Sequence, residues 1–146
     1  MVEEQIDWRK TVEAILENAN RPFVPISKSF IQQPRGSKER SSVLSQFVTN
    51  GDLRGLKAYL LIAASASSPD TENEWYTSLP LQTWARAFGC SETAGSIATA
   101  KAAATRILLR LQQRGLIEKS RCGKERKIKI KLLAQDGSGE EYQRPA

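Results

Sequence analysis

Histidine is absent from all 146 residues. Without it the chain lacks the commonest general base and metal ligand, and no Ser-His or Cys-His nucleophile can be assembled. Cysteine is nearly absent as well: Cys90 and Cys122 are the only two, too few for a disulfide framework or a thiolate metal cluster. Both are expected to be free thiols, with Cys90 the buried one. No apolar run approaches the roughly 20 residues that cross a bilayer, and the opening MVEEQIDWRK is acidic where a signal peptide is basic and then apolar. A soluble, intracellular protein without a membrane partner is expected. The carboxylates are scattered with no convincing pair, and the glycines match neither a phosphate-binding loop nor a dinucleotide-binding turn. No catalytic residue, cofactor or metal site is expected, and enzymatic activity is unsupported.

Positive charge is what the chain has in excess, and it is unevenly placed. Residues 1–78 carry nine Lys or Arg against ten Asp or Glu, residues 79–133 carry twelve against three, and residues 134–146 carry one against three, within a net charge of +6. A basic block often does no more than solvate an exposed face. Its arrangement on helices and strands has to decide whether it is a footprint for an acidic partner.

Four segments follow from pattern. In residues 1–20, Trp8, Val12, Ile15 and Leu16 share one helical stripe. This amphipathic N-terminal helix needs a covering surface, either its own domain or a second copy in a homodimer. Residues 21–51 hold Pro22, Pro25 and Pro34 and read as a connector with a short extended edge segment at PFVPISKSFI, followed by a short helix around Val43 to Val48. Residues 52–133 form the main domain. Asp52 is suited to cap a core helix reaching about Ser65, SSPDTENEWYTS reads as a polar loop, and LPLQTWARAFG, residues 79–89, reads as a helix stopped by Gly89. After the turn CSETAGS comes the longer helix IATAKAAATRILLRLQQRG. At 100° per residue from Ile97, the positions Ala100, Ala104, Ile107, Leu108 and Leu111 form its apolar stripe, with Thr99, Ala102, Thr105, Arg106, Leu109, Arg110 and Gln113 largely opposite. Residues 134–146, AQDGSGEEYQRPA, are rich in Gly, Ser and acid and read as a disordered tail.

The stretch RGLIEKSRCGKERKIKIKL, residues 114–132, holds eight basic and two acidic side chains. Gly115 closes the helix, and RKIKIKLL alternates strictly, Ile128, Ile130 and Leu132 on one face and Lys127, Lys129 and Lys131 on the other. RCGKER supplies the turn of a β-hairpin with an aliphatic inner face and a cationic outer face and tip.

The expected fold is mainly α with a small β-hairpin. In the pairing of LPLQTWARAFG with a helix ending TRILLRLQQRGLIEKS, followed by RCGKERKIKIKL, the chain resembles the winged helix-turn-helix superfamily of DNA-binding proteins, here with an N-terminal helical extension. The turn CSETAGS is longer than in the simplest members, so the second helix has a start anywhere from Glu92 to Ile97. The resemblance implies that the helix of about residues 96–114 enters the major groove of double-stranded DNA and that a basic wing, residues 119–129, lies on the backbone or in a minor groove. Ser96, Thr99 and Thr105 would donate to phosphates or bases, with Lys101 on the early flank. Ala102 would allow close approach, and Arg106 and Arg110 would make forked contacts. Arg121, Lys124, Arg126 and Lys127 would form the wing cluster. Each has an ordinary alternative: solvated helix arginines, alanines chosen for helix propensity, lysines guarding an edge strand.

The function expected from these residues is that of a sequence-specific transcriptional regulator, cytoplasmic and nucleoid-associated, acting as a homodimer. Two others stay open. One is a replication-initiation, partition or defence-assembly protein of a mobile element, with a protein partner recruited through residues 1–50. The other is a winged-helix adaptor for an acidic protein. RNA binding is disfavoured, because Trp75, Trp84 and Phe88 look like core and no aromatics interleave the basic surface.

Overall fold

The computed structural model describes residues 8–18, 26–32, 41–66, 75–90, 96–122 and 127–142, with Trp8, Asn18, Arg121 and Cys122 described by backbone alone. Helices α1 (Trp8–Asn18), α2 (Lys28–Ile31), α3 (Val43–Thr49) and α4 (Leu53–Ser65) precede strand β1 (Tyr76–Pro80). Helices α5 (Leu81–Ala87) and α6 (Ile97–Gln113) follow, and β2 (Ile117–Cys122) and β3 (Lys127–Leu132) complete the order. The chain is mainly helical with a small three-stranded antiparallel sheet of order β1-β3-β2.

Local chemistry starts most of these helices. A backbone N–H left over in the first turn is satisfied by a side-chain oxygen one position before the helix. Ser27 accepts from Ser29 N for α2 at 3.0 Å, and Ser42 accepts from Ser45 N for α3 at 3.2 Å. Asp52 Oδ1 accepts from Gly55 N for α4 at 3.0 Å, and Ser96 accepts from Thr99 N for α6 at 3.2 Å. Gly51, Gly89 and Gly115 end segments at φ of 65°, 79° and 73°, a region that costs a residue with a Cβ and not glycine.

Helix α4 is the centre of the core, with Ala58, Tyr59, Leu61, Ile62 and Ala63 all buried. Helix α6 lies against it and against α5 through Ala100, Ala104, Ile107, Leu108 and Leu111, the stripe its periodicity predicts. Ile97 does not join that stripe and is 61% exposed. The sheet closes the other side: Ile128, Ile130 and Leu132 of β3 point inward, as do Leu116 and Ile117 before and in β2. Burying each such aliphatic side chain contributes about 1.5–3 kcal/mol.

Five expectations change. The polar loop before α5 contributes a strand: Tyr76 to Pro80 pair with Lys131 to Lys127, so the expected hairpin is a three-stranded sheet with β3 in its middle. Helix α5 consequently begins at Leu81 and not Leu79, with Pro80 at its N-cap, where the missing N–H costs nothing. In the connector, the segment expected to be extended contains α2, whose Phe30 is 2% exposed and stacks on Tyr59 at 5.2 Å.

The N-terminal helix covers its own domain. Val12 and Ile15 pack into the core, with Ile15 at 6% exposure, whereas Leu16 of the same stripe is 41% exposed. The core thus crosses the boundary expected at residue 52.

The C-terminal segment is not a disordered tail as far as Tyr142. Leu133 bridges Glu141, Ala134 N donates to Glu140 O at 2.8 Å, and Tyr142, 6% exposed, meets Trp75 edge-on at 6.3 Å. Gln135 is 3% exposed, and its Oε1 accepts from Ser27 N. These backbone, side-chain and aromatic contacts outweigh the Gly-Ser-acid composition that suggested disorder. The close approach requires glycine at 115, since a Cβ there would stand 2.6 Å from the Gly137 carbonyl oxygen.

Candidate nucleic-acid interface

Helix α6 begins at Ile97, and Ser96 serves as its cap. The Ser96 hydroxyl is 2.9 Å from Thr99 Oγ1 as well as accepting from Thr99 N. Its first duty is therefore to start the helix. Thr99, Ala102 and Arg106 lie exposed along the outer arc of α6, together with Ala98, Leu109 and Gln113. The alanines leave this arc smooth near its start. Arg106 has no carboxylate partner among the described residues.

Other expected contacts turn away from that arc. Thr105 is half-buried and donates its hydroxyl back to Lys101 O at 2.9 Å, which removes its proton from service to a ligand. With Leu81, Leu108, Lys119, Ser120 and Ile128 it lines a recess of about 230 Å³ between α6 and the sheet. Lys101 and Lys127 are also half-buried. Of the wing cluster, Arg121 contributes only a backbone position in β2, opposite Ile128, and Lys124 and Arg126 lie outside the described residues.

The three β3 lysines are not on an edge. Strand β3 has a neighbour on each side, and its lysines are all half-buried. Lys129 Nζ sits 4.5 Å from the centre of the Tyr76 ring, a cation-π contact. Edge-strand protection therefore does not account for them.

Arg110 is exposed on α6 but engaged. Its Nη2 donates to Asp52 Oδ1 at 3.0 Å and its Nε to Asp52 Oδ2 at 3.3 Å. Arg114 approaches the same carboxylate at 3.7 Å and lays its guanidinium over the Phe47 ring at 4.5 Å. Burial alone would raise the Asp52 carboxyl, but hydrogen bonds from Arg110 and the Gly55 N–H, with the charges of Arg110 and Arg114, hold it below the usual carboxylate range.

Two basic residues of α4 extend this surface and were not anticipated. Arg54 is exposed and Lys57 half-buried, one turn apart. The Cys90 thiol, 1% exposed, is pushed up by burial, partly offset by the charges of Arg54, Lys57, Arg106 and Arg110. Those four cations, from two helices, thus lie near enough to Cys90 to act on its thiol by charge. The spacing of 54 and 57 on a single helical face was a usable signal, but the apolar density of α4 marked it as core only.

Comparison with known proteins gives no match: no family model, no curated protein and no solved structure aligns with this chain.

Proposed function

We propose that this chain binds double-stranded DNA as a winged helix-turn-helix module, in the manner of a sequence-specific transcriptional regulator. The observation that carries the reading is the situation of α6. One stripe of the helix is buried, the opposite arc is open, the basic side chains Arg54 and Lys57 of α4 stand beside it, and the hairpin β2–β3 follows directly.

A helix of this kind fits a major groove when its outer arc is small or polar and cations flank it. Thr99, Ala102 and Arg106 supply the arc, and Arg54, Lys57 and Arg106 supply phosphate contacts. The sequence adds Arg121, Lys124 and Arg126 as further cations of the proposed wing.

The test is affinity for random-sequence duplex DNA across a salt series, for wild type and for Arg106→Ala and the double variant Arg54→Ala/Lys57→Ala. Each phosphate contact removed should flatten the slope of log affinity against log salt by about one. Absence of wild-type binding at low salt would end the reading and leave the basic face to an acidic protein partner.

A further inference from the structure

Arg106 and Arg110 stand one helical turn apart on the same helix, but their surroundings differ. Arg106 has no carboxylate partner among the described residues, whereas Arg110 is held by Asp52 through both carboxylate oxygens. Asp52 is itself anchored. Its side chain is 12% exposed, and Oδ1 also caps α4 by accepting from Gly55 N at 3.0 Å. The arginine is thus clamped to a rigid helix start, although its own side chain stays 44% exposed.

Which atoms Asp52 takes is decisive. The carboxylate occupies the Nε–Nη2 edge of the guanidinium and takes one N–H of Nη2, which leaves the second Nη2 N–H and the Nη1 group on the end-on side outside that fork. An arginine end of this geometry matches the O6 and N7 acceptors of guanine in the major groove. A flexible arginine loses much rotamer freedom when it makes such a contact, and one already fixed loses less. The negative charge of Asp52 at the same time opposes a phosphate at this position, so Arg110 is better suited to a neutral base edge than to the backbone.

We propose that Asp52 is a positioning residue that presents the Nη1–Nη2 end of Arg110 to a guanine, which divides labour on α6 between Arg110 for base choice and Arg106 for the backbone. This rests on the DNA-binding reading above.

The experiment is selection from a randomised duplex library, followed by competition between the enriched site and versions changed at each guanine. It compares wild type with Asp52→Asn, Arg110→Ala and Arg110→Lys. Asparagine retains an N-cap acceptor for Gly55, and lysine retains the charge of Arg110 without a fork.

Wild type should enrich a motif with one guanine preferred about tenfold to a hundredfold. That preference should fall to near unity in Arg110→Ala and Arg110→Lys and drop several-fold in Asp52→Asn. Affinity of Asp52→Asn for random duplex should hold or rise, since a negative charge has been removed. A clamp that merely joins α6 to α4 would change thermal stability without moving base preference. Should Asp52→Asn fail to fold, Arg110→Lys carries the decision, because it keeps the random-duplex affinity while losing the guanine only if the fork matters. Unchanged guanine preference in Asp52→Asn, or in both Arg110 variants, overturns the proposal while leaving salt-sensitive DNA binding intact. Loss of all wild-type binding would instead sink the DNA reading itself.

Discussion

Helix α6 and strand β3 both set aliphatic residues against basic ones at regular spacing, and both bury the aliphatic set, Ile107, Leu108 and Leu111 in one and Ile128, Ile130 and Leu132 in the other. Their cations meet different fates. A helix is a cylinder, and covering one stripe leaves a wide arc in water. Arg106 and Arg110 stand on that arc. A strand in the middle of a sheet has a neighbour on each side, so its outward side chains are flanked by those strands and not open to water all round. Lys127, Lys129 and Lys131 are half-buried for this reason, with Lys129 resting on Tyr76. Equal counts of positive charge therefore do not make equal footprints. What decides is how much of each element its neighbours cover.

Four substitutions test this contrast. The largest effect is expected where the aliphatic face is removed: Ile130→Ala in β3, at 0% exposure, should destabilise the domain by about 2–5 kcal/mol in urea unfolding. Leu111→Ala in α6, also fully buried, should cost a similar amount. A loss well under 1 kcal/mol at either site would mean that its stripe is not core.

Next comes the arginine clamp. Asp52→Asn should cost about 1 kcal/mol at neutral pH through loss of a charge-assisted pair that is partly exposed. The carboxyl of Asp52 is depressed in the folded state, so its contribution is present above the ordinary carboxylate range and disappears as pH falls through the lowered value. Stability curves of the two proteins should therefore converge as pH drops below about 4. Parallel curves down to the acid limit would refute the assignment.

The smallest effect belongs to β3: Lys129→Ala should cost about 0.5–1 kcal/mol through the lost contact with Tyr76 and, under the DNA-binding proposal, should flatten the salt slope of affinity less than Arg106→Ala does. A larger slope change for Lys129 than for Arg106 would reverse the comparison and move the phosphate footprint onto the sheet.

The legible parts of this fold are those where one short window carries the whole signal. Asp52 as a cap, Gly89 and Gly115 as stops, the buried stripe of α6 and the alternation of β3 each depend on residues within a turn or two of one another. Strand β1 was hidden because TENEWYTSLP is polar and ends in proline. Its pairing partner, β3, lies about 50 residues further on, where its strand character comes from cross-strand contact and not from its own composition. The anchoring of Tyr142 was hidden for the same reason, since Trp75 lies far back in the chain.

The interface divides along the same line. Arg106 and Arg110 were both visible as outward positions on a periodic helix. That Arg110 is clamped to Asp52, 58 residues away, and that Arg54 and Lys57 stand near α6, depended on how α4 packs across it. Local pattern settled which residues form the helices, which stripe of α6 turns inward and where the positive charge is concentrated, because periodicity and capping act over a few residues. Long-range packing settled which cations remain on the surface and which are held by a carboxylate, a ring or a neighbouring strand. Those contacts join residues that no local pattern relates, and they exist only once the core has brought the helices and the sheet together.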